Sequence, residues 1–320
     1  MNIYILAPAG VISGGPELAH QFCGVCNRFL ADETEAKVCY VDASNPNYID
    51  AIGVENEIPE RYRIYVTKRA HGLEEIDQPG NVVVVPEGLS YSISVIKKAR
   101  IFFWWMSVDN YTESTGEENL DSIIERSEYH LVQSEYARNY IYNKNVSQDK
   151  SLWLTDYIND MHGQFLYPVE LRRDVALYNP KKGYGELQPL MQYANWIKWI
   201  PLVNLTLEEE VILMQSSKIY VDFGEHPGRD RIPREAAANG CCVITNRRGS
   251  AGNDIDVPIS SIYKYENPSQ SMEEINLLLH DICENFKQHQ DDFAEYRKII
   301  KEQKTVFESE IKEVLKKIKD

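Results

Sequence analysis

The sequence predicts an α/β protein of two doubly wound parallel-sheet domains with a long helical segment at its C-terminus. Three observations predict it. Short apolar runs suited to buried strands alternate with segments of helical periodicity up to about Tyr157, and again from Val175. The rhythm breaks once, between Asn159 and Arg173. From about Ser269 the chain reads as mostly helical. A length of 320 residues suits two domains of about 150 residues each. The expected divisions are 1–165, 166–285 and a C-terminal helix over 286–320 that packs back on the domains.

Bulk properties narrow the function classes. A net charge of −15 argues against non-specific binding to nucleic acid or to an anionic membrane as the main role. No stretch approaches the roughly 18 apolar residues of a membrane span. The start, MNIYILAPAG, has no basic region before its apolar run and reads as a first strand rather than a signal peptide. Cys23 and Cys26 form a C-x-x-C pair, but well inside an expected helix rather than at its first turn, where a thiolate would be activated. The six cysteines read as buried thiols in a reducing cytoplasm.

The first half begins with a strand over Asn2–Ala7, a loop with Ser13, Gly14 and Gly15, and a helix opened by Pro16. Leu18, Phe22, Val25 and Phe29 recur at helical spacing, so one face is buried. Val38–Val41 is the next strand. Gly14 and Gly15 let a ligand approach the backbone or simply make a tight turn. They do not complete the G-x-G-x-x-G dinucleotide fingerprint, although Asp42 ends the second strand where a ribose-binding acid would stand. Asn81–Pro86 is a third strand, and a helix is expected from Tyr91 to Ala99. The run Ile101–Met106 exits into Ser107, Val108, Asp109 and Asn110. Ligands of open α/β sheets bind at the carboxyl ends of strands, so Trp105, Ser107, Asp109 and Asn110 are expected to face a cleft and suit a sugar ring. The alternative is a core tryptophan and an Asp109 that caps a turn. His130–Gln133, a helix from Ser134, and Leu152–Thr155 complete this half.

The second half restarts at Val175–Tyr178, followed by Asn179, Pro180, Lys181, Lys182 and Gly183. Two lysines just past a strand end form a cationic spot for phosphate, or a solvated pair. A helix to about Ala194 and a strand over Trp196–Ile200 follow. Thr206 and Glu209 make a capping box for a helix over Leu207–Gln215. Lys218–Phe223 and Cys241–Thr245 are strands, and Tyr263–Tyr265 is a last short one.

Between Lys218–Phe223 and Cys241–Thr245 lies the stretch with the most chemistry. His226, Arg229, Arg231 and Arg234 crowd nine residues of an acidic chain. Pro233 suits the first turn of a helix, the alanines 236–238 continue it, and Gly240 ends it. Free N–H groups at such a helix start, with arginines around them, bind phosphate. Glu235 is then placed to accept hydrogen bonds from ribose hydroxyls. The alternative is an arginine-rich loop held in salt bridges.

Two α/β halves, the glycine loop, the basic strand–loop–helix element and the long final helix together resemble the GT-B glycosyltransferases with two Rossmann-like domains facing a cleft. The run Pro233-Arg234-Glu235-Ala236-Ala237-Ala238-Asn239-Gly240-Cys241-Cys242-Val243-Ile244 resembles the donor-site signature P-x-x-E-A-x-A-x-G-x-P-V-I of the group 1 family, of capsule and lipopolysaccharide type. It is one residue tighter between proline and glutamate, and Cys242 stands for a proline. Glu235 matches the second glutamate of the family's E-x7-E motif. The first position holds Pro227, with Glu225 and His226 beside it. The resemblance therefore carries over neither a residue for the transferred sugar nor the retaining or inverting outcome. Gly14 and Gly15 match the family's N-terminal glycine loop, and Lys181 and Lys182 resemble its diphosphate-neutralising pair.

The resemblance implies a cytoplasmic glycosyltransferase for surface polysaccharide or glycoconjugate assembly. Residues 1–165 would form the acceptor side and 166–285 the nucleotide-sugar domain. Asn179, Lys181, Lys182, His226, Arg229, Arg231, Arg234 and Glu235, with Gly14 and Gly15, would bind the donor. Trp105, Ser107 and Asn110 would meet the acceptor, and Asp109 would be the general base of an inverting reaction. No metal and no resident cofactor are expected, since fixed cations stabilise the leaving diphosphate. The expected partners are the nucleotide sugar and a glycan or lipid-linked acceptor, not nucleic acid. Lys312, Lys316, Lys317 and Lys319 on the last helix complement its C-terminus; the sharper reading is a weak contact at the inner membrane face. A nucleotide-sugar epimerase of the same fold, a nicotinamide oxidoreductase and a catalytically inert nucleotide-binding or partner subunit are the alternatives. Donor base, donor sugar, acceptor and oligomeric state are not legible.

Overall fold

In a computed structural model that describes residues 1–30 and 34–319, the apolar runs form two separate sheets whose strand pairs are parallel. The chain divides into two compact units, Met1–Asp156 with the stretch from Thr305, and Tyr157–Lys304. The sequence-based divisions at 165 and 285 fall elsewhere for a packing reason. Ile158 already belongs to the core of the second unit, and the final helix, Ala294–Lys319, divides between the two units.

The first unit holds β1 (Ile3–Pro8), β2 (Ala36–Val41), β3 (Lys68–Arg69), β4 (Val82–Pro86), β5 (Arg100–Trp105), β6 (Ser127–Val132) and β7 (Ser151–Trp153), in the order β3-β2-β1-β4-β5-β6-β7. Every residue of β4 is buried. That is the pattern of a parallel strand covered on both faces, and it explains the uninterrupted apolar runs. The helix Gly14–Phe29 buries Leu18, Phe22 and Val25 as its periodicity requires. Cys23 and Cys26 lie inside it as free buried thiols, and burial pushes the Cys23 thiol well up.

One expected helix does not form. Tyr91–Ala99 is instead the end of a 3-10 segment, Glu87–Ser94, followed by irregular chain. The Asp77 carboxylate is the reason. It accepts hydrogen bonds from the backbone N–H groups of Lys97 (3.0 Å), Lys98 (2.6 Å) and Ala99 (2.9 Å), which a helix would have used internally. Burial works to raise the Asp77 pKa, but these donors outweigh it and hold the carboxyl below its ordinary range.

The end of the final helix packs on the first unit through Phe307, Ile311, Val314 and Ile318, all buried. Glu310 accepts hydrogen bonds from Thr155 N and Oγ1, both at 2.7 Å, and Arg100 Nη1 donates to the Ile318 carbonyl at 2.6 Å. This is the packing role; the membrane-contact reading gains no support from it. Among the described residues no helix is long and apolar enough to cross a membrane.

The second unit holds β8 (Arg173–Tyr178), β9 (Lys198–Pro201), β10 (Ser217–Asp222), β11 (Cys242–Asn246) and β12 (Lys264–Tyr265), in the order β12-β11-β10-β8-β9. Thr206 and Glu209 cap the helix Leu207–Gln215 reciprocally: Glu209 N donates to Thr206 Oγ1 at 3.2 Å and Thr206 N to Glu209 Oε2 at 2.8 Å. The helix Arg231–Ala238 stops where Gly240 takes φ +93°, as expected.

Candidate functional site

The strand order of the second unit locates its site. From β8 the chain winds outward to β9, then crosses back so that β10 lies on the other side of β8. The loops leaving β8 and β10 at their carboxyl ends therefore diverge around a crevice, the place where ligands of open α/β sheets bind. Lys181 and Lys182 follow β8; His226, Arg229 and the helix start at Arg231 follow β10. The two cationic spots, 44 residues apart in the chain from Lys182 to His226, meet at this reversal.

Close backbone contact makes the meeting tight. Gly183 has φ +62°, and a Cβ there would stand 2.4 Å from the Gly224 nitrogen and the Phe223 carbonyl carbon. Asn179 Oδ1 accepts from Lys181 N at 3.0 Å and shapes the turn, leaving Lys181 exposed. Lys182 Nζ reaches across to Asp230 Oδ1 at 2.7 Å. Asp222 ends β10 with Oδ1 accepting from Gly224 N at 3.0 Å and Oδ2 accepting from the Tyr220 hydroxyl at 2.8 Å. A third loop, after β11, closes on the second. Ser250 N donates to the His226 carbonyl at 2.8 Å, and Ser250 Oγ to the Gly228 carbonyl at 2.6 Å. Arg248 bonds Glu186 and, at 3.0 Å, Glu225.

His226 is 1% exposed, with Nδ1 3.0 Å from Asp230 Oδ2. Burial works against its protonation, but the carboxylates of Asp230 and Asp222 outweigh it and raise the pKa above the ordinary value. Asp230 is shifted the opposite way: burial would raise it, while His226 and Lys182 hold it below the usual carboxylate range. The sign for stability follows. A raised histidine pKa adds stability that is present below its unfolded value and lost as pH rises through the folded one. We therefore expect the wild type to lose stability relative to His226→Gln as pH rises from 6 to 9, read from urea midpoints across that range. Parallel curves would show that the imidazole is not protonated in the folded chain.

Arg234 departs from expectation. It is 2% exposed. Nε donates to the Asp230 carbonyl (3.1 Å), Nη1 to Gln303 Oε1 (2.9 Å) and Nη2 to the Arg229 carbonyl (2.8 Å). These bonds hold the loop after β10 from beneath, while Arg234 also lines the small pocket beside His226 and Arg229. The helix also starts at Arg231, two residues before Pro233, so Glu235 stands fifth rather than in the first turn. The Glu235 side chain is 12% exposed, and Oε1 lies 3.8 Å from His162 Nε2.

In the first unit Gly14 and Gly15 are exposed at the carboxyl end of β1, opening their helix. Gly15 lies beside Met106, whose N–H donates to Glu87 Oε2 at 2.9 Å. Burial raises the Glu87 carboxyl to about 7 despite this hydrogen bond. Ser107 precedes the helix Val108–Thr115. Asp109, in its first turn, accepts a hydrogen bond from the Tyr136 hydroxyl at 2.6 Å, and Asn110 is exposed. Trp105 is a correction: it is 0% exposed in the core, its Nε1 donating to His130 Nδ1 at 3.2 Å, and cannot stack on a sugar. Asp42 caps a local turn by accepting from Ser44 N and Oγ.

Asp230, Glu87 and His162 escaped the sequence reading. Glu87 opens a 3-10 segment and Asp230 precedes a helix, and neither belongs to a recognisable motif. Asp230 pairs with His226, four residues away, and with Lys182, 48 residues away, and Glu87 accepts from Met106 N.

No family model and no curated protein matches this sequence. Solved structures do. Anabaena Alr3699/HepE in complex with UDP superposes with a TM-score of 0.68 at 10% identity, over 99% of this chain and 100% of that one. The same protein with UDP-glucose gives 0.66 at 12% identity, over 99% and 100%. Sucrose-phosphate synthase from Thermosynechococcus elongatus gives 0.67 at 11% identity, over 99% and 98%. At such identities the likeness shows the fold, which is the GT-B fold of two parallel-sheet α/β domains and a long C-terminal helix.

Proposed function

We propose that this chain, built on the GT-B fold, is a glycosyltransferase whose donor is a sugar carried on a uridine diphosphate. The single observation that carries the reading is the crevice at the strand-order reversal of the second unit. It gathers Lys181, Lys182, His226, Arg229 and Arg231 beside a helix start, on a chain of net charge −15. The structures of similar fold solved with UDP and UDP-glucose support the choice of donor.

Charge develops on the diphosphate as the glycosidic bond breaks. Fixed cations aimed at it stabilise that charge without reorganising at the moment of reaction. Lys181, Lys182, Arg229 and Arg231 carry this task in place of a divalent metal. Asn179 shapes the lysine turn, and Glu235 binds the ribose. On the first unit Gly14 and Gly15 offer bare backbone to the ligands. Ser107 and Asn110 meet a glycan or lipid-linked acceptor, and Asp109, held by Tyr136, takes the acceptor proton. Surface polysaccharide assembly at the cytoplasmic face is the setting this chemistry suits.

The test is UDP release from UDP-sugars, with and without candidate acceptor glycans. The wild type should release UDP, and Lys182→Ala should lower kcat/KM by roughly 10²-fold, the scale of losing one preorganised charge-stabilising group. Turnover that is unchanged in the variant would sink the assignment.

A further inference from the structure

The amino edge of the second unit carries a surface of different chemistry. The strand pairs of this sheet are parallel, so the amino ends lie opposite the carboxyl ends, where Lys182 and His226 stand. At the amino edge the chain turns from the helix Tyr184–Tyr193 into β9, the outermost strand, and Trp196 sits in the turn two residues before β9. Trp196 is 40% exposed and Tyr193 53%. From Gln192 to Ile197 the chain carries no charged residue, and Gln192 and Asn195 are exposed amides. Single exposed apolar side chains are ordinary. Two exposed aromatic rings interleaved with amides are a surface with a chemistry of its own.

Trp196 is exposed but held. Its Nε1–H donates to Asn276 Oδ1 at 2.8 Å. One face of the ring lies on His280, with centroids 3.7 Å apart and planes 13° from parallel. Asn276 and His280 stand four residues apart on the helix Met272–Glu284, so one helix backs the indole at its edge and on one face. Trp199 Nε1 donates to the carbonyl of buried Ala194 at 3.1 Å and fixes the turn itself. The indole area left open is the face turned away from His280. An indole N–H only donates, so Asn276 presents its oxygen to it and keeps both Nδ2 hydrogens, which make no hydrogen bond among the described residues.

We propose that this face binds a neutral glycan, with one pyranose stacked on the open face of Trp196 and its hydroxyls met by the amides of Asn195 and Asn276. A pyranose has an apolar C–H face and a rim of hydroxyls that both donate and accept. An aromatic face with amides beside it matches both parts. A protein partner is held by a contiguous apolar core, and here amides interrupt the rings. Because the indole is already fixed by Asn276 and His280, little ordering opposes binding. The site stands apart from the donor crevice and does not rest on the donor reading.

The test is isothermal titration of cellotetraose into the full chain, alone and saturated with UDP. Cellotetraose is the probe because its rings present C–H faces and carry no charge. It should bind in both conditions. Trp196→Ala should weaken binding about tenfold or more, and Trp196→Phe, which keeps a ring, by less. Melting temperatures are read beside the affinities. Asn195→Ala, at an exposed position with no side-chain hydrogen bond among the described residues, should weaken binding several-fold and decides the matter if Trp196→Ala unfolds. Cellotetraose that does not bind, that binds the folded variants as well as the wild type, or that UDP displaces would overturn the site. A wild-type dimer in sedimentation velocity that Trp196→Ala makes monomeric would overturn it too, by giving the face to a second copy of the chain. UDP binding without cellotetraose binding defeats this site alone, whereas Trp196-dependent cellotetraose binding without UDP binding defeats the donor reading alone.

Discussion

Gly183→Ala is expected to lower the melting temperature of the second unit by roughly 5–15 °C and to abolish nucleotide binding. Two costs combine. The residue sits at φ +62°, where an L side chain costs about 1–2 kcal/mol. Its Cβ would also stand 2.4 Å from backbone atoms of Phe223 and Gly224, and backbone cannot swing aside as a flexible side chain would. Relieving that overlap costs about 1–3 kcal/mol more, and a domain of this size loses about 2–4 °C per kcal/mol. The only relief is separation of the loops after β8 and β10. Lys182 would then leave Asp230, and the two cationic flanks would part. Differential scanning calorimetry with and without UDP reads both effects. A variant that melts normally and binds normally would show that the two loops do not meet as described.

Arg234→Ala is expected to destabilise the chain by on the order of 3–5 kcal/mol. It removes the donor from three acceptors, Gln303 Oε1 and the carbonyls of Asp230 and Arg229. Each such group left unmet in a buried site costs about 1–3 kcal/mol. Arg234→Lys should not restore it, because one ammonium cannot reproduce the planar fork that reaches three acceptors. Urea unfolding gives the comparison, read as a lower midpoint at unchanged slope. A phosphate-binding arginine facing solvent would behave in the opposite way, with nucleotide affinity falling while the midpoint stays put. That pattern would return Arg234 to the ligand and contradict its burial.

Legibility in the sequence followed how local the cause was. The strands were visible because a parallel strand covered on both faces is a continuous apolar run, as Val82–Pro86 shows. The capping box at Thr206 and the stop at Gly240 were visible because their partners lie within a few residues. β3 was not, since Lys68–Arg69 is two residues long and charged. The expected helix over Tyr91–Ala99 was lost to Asp77, some 20 residues upstream. Trp105 looked available because it ends a strand, but His130 and its aromatic neighbours Phe103 and Tyr111 enclose it. At the candidate site, residue types and their loop were legible, and so was the lysine pair. The roles within the loop were not. Arg234 and Asp230 differ in function because Gln303 and Lys182 come from elsewhere in the chain, and no spacing announces that.

The central claim is that the loops after β8 and β10 together bind a nucleoside diphosphate. Isothermal titration of UDP into the full chain, beside Lys181→Ala/Lys182→Ala, tests it most directly. The account predicts saturable binding by the wild type and a loss of at least about tenfold in the double variant, the effect of removing charge-assisted contacts to phosphate of about 1.4 kcal/mol or more. UDP that fails to bind, or binds both proteins equally well, would contradict it.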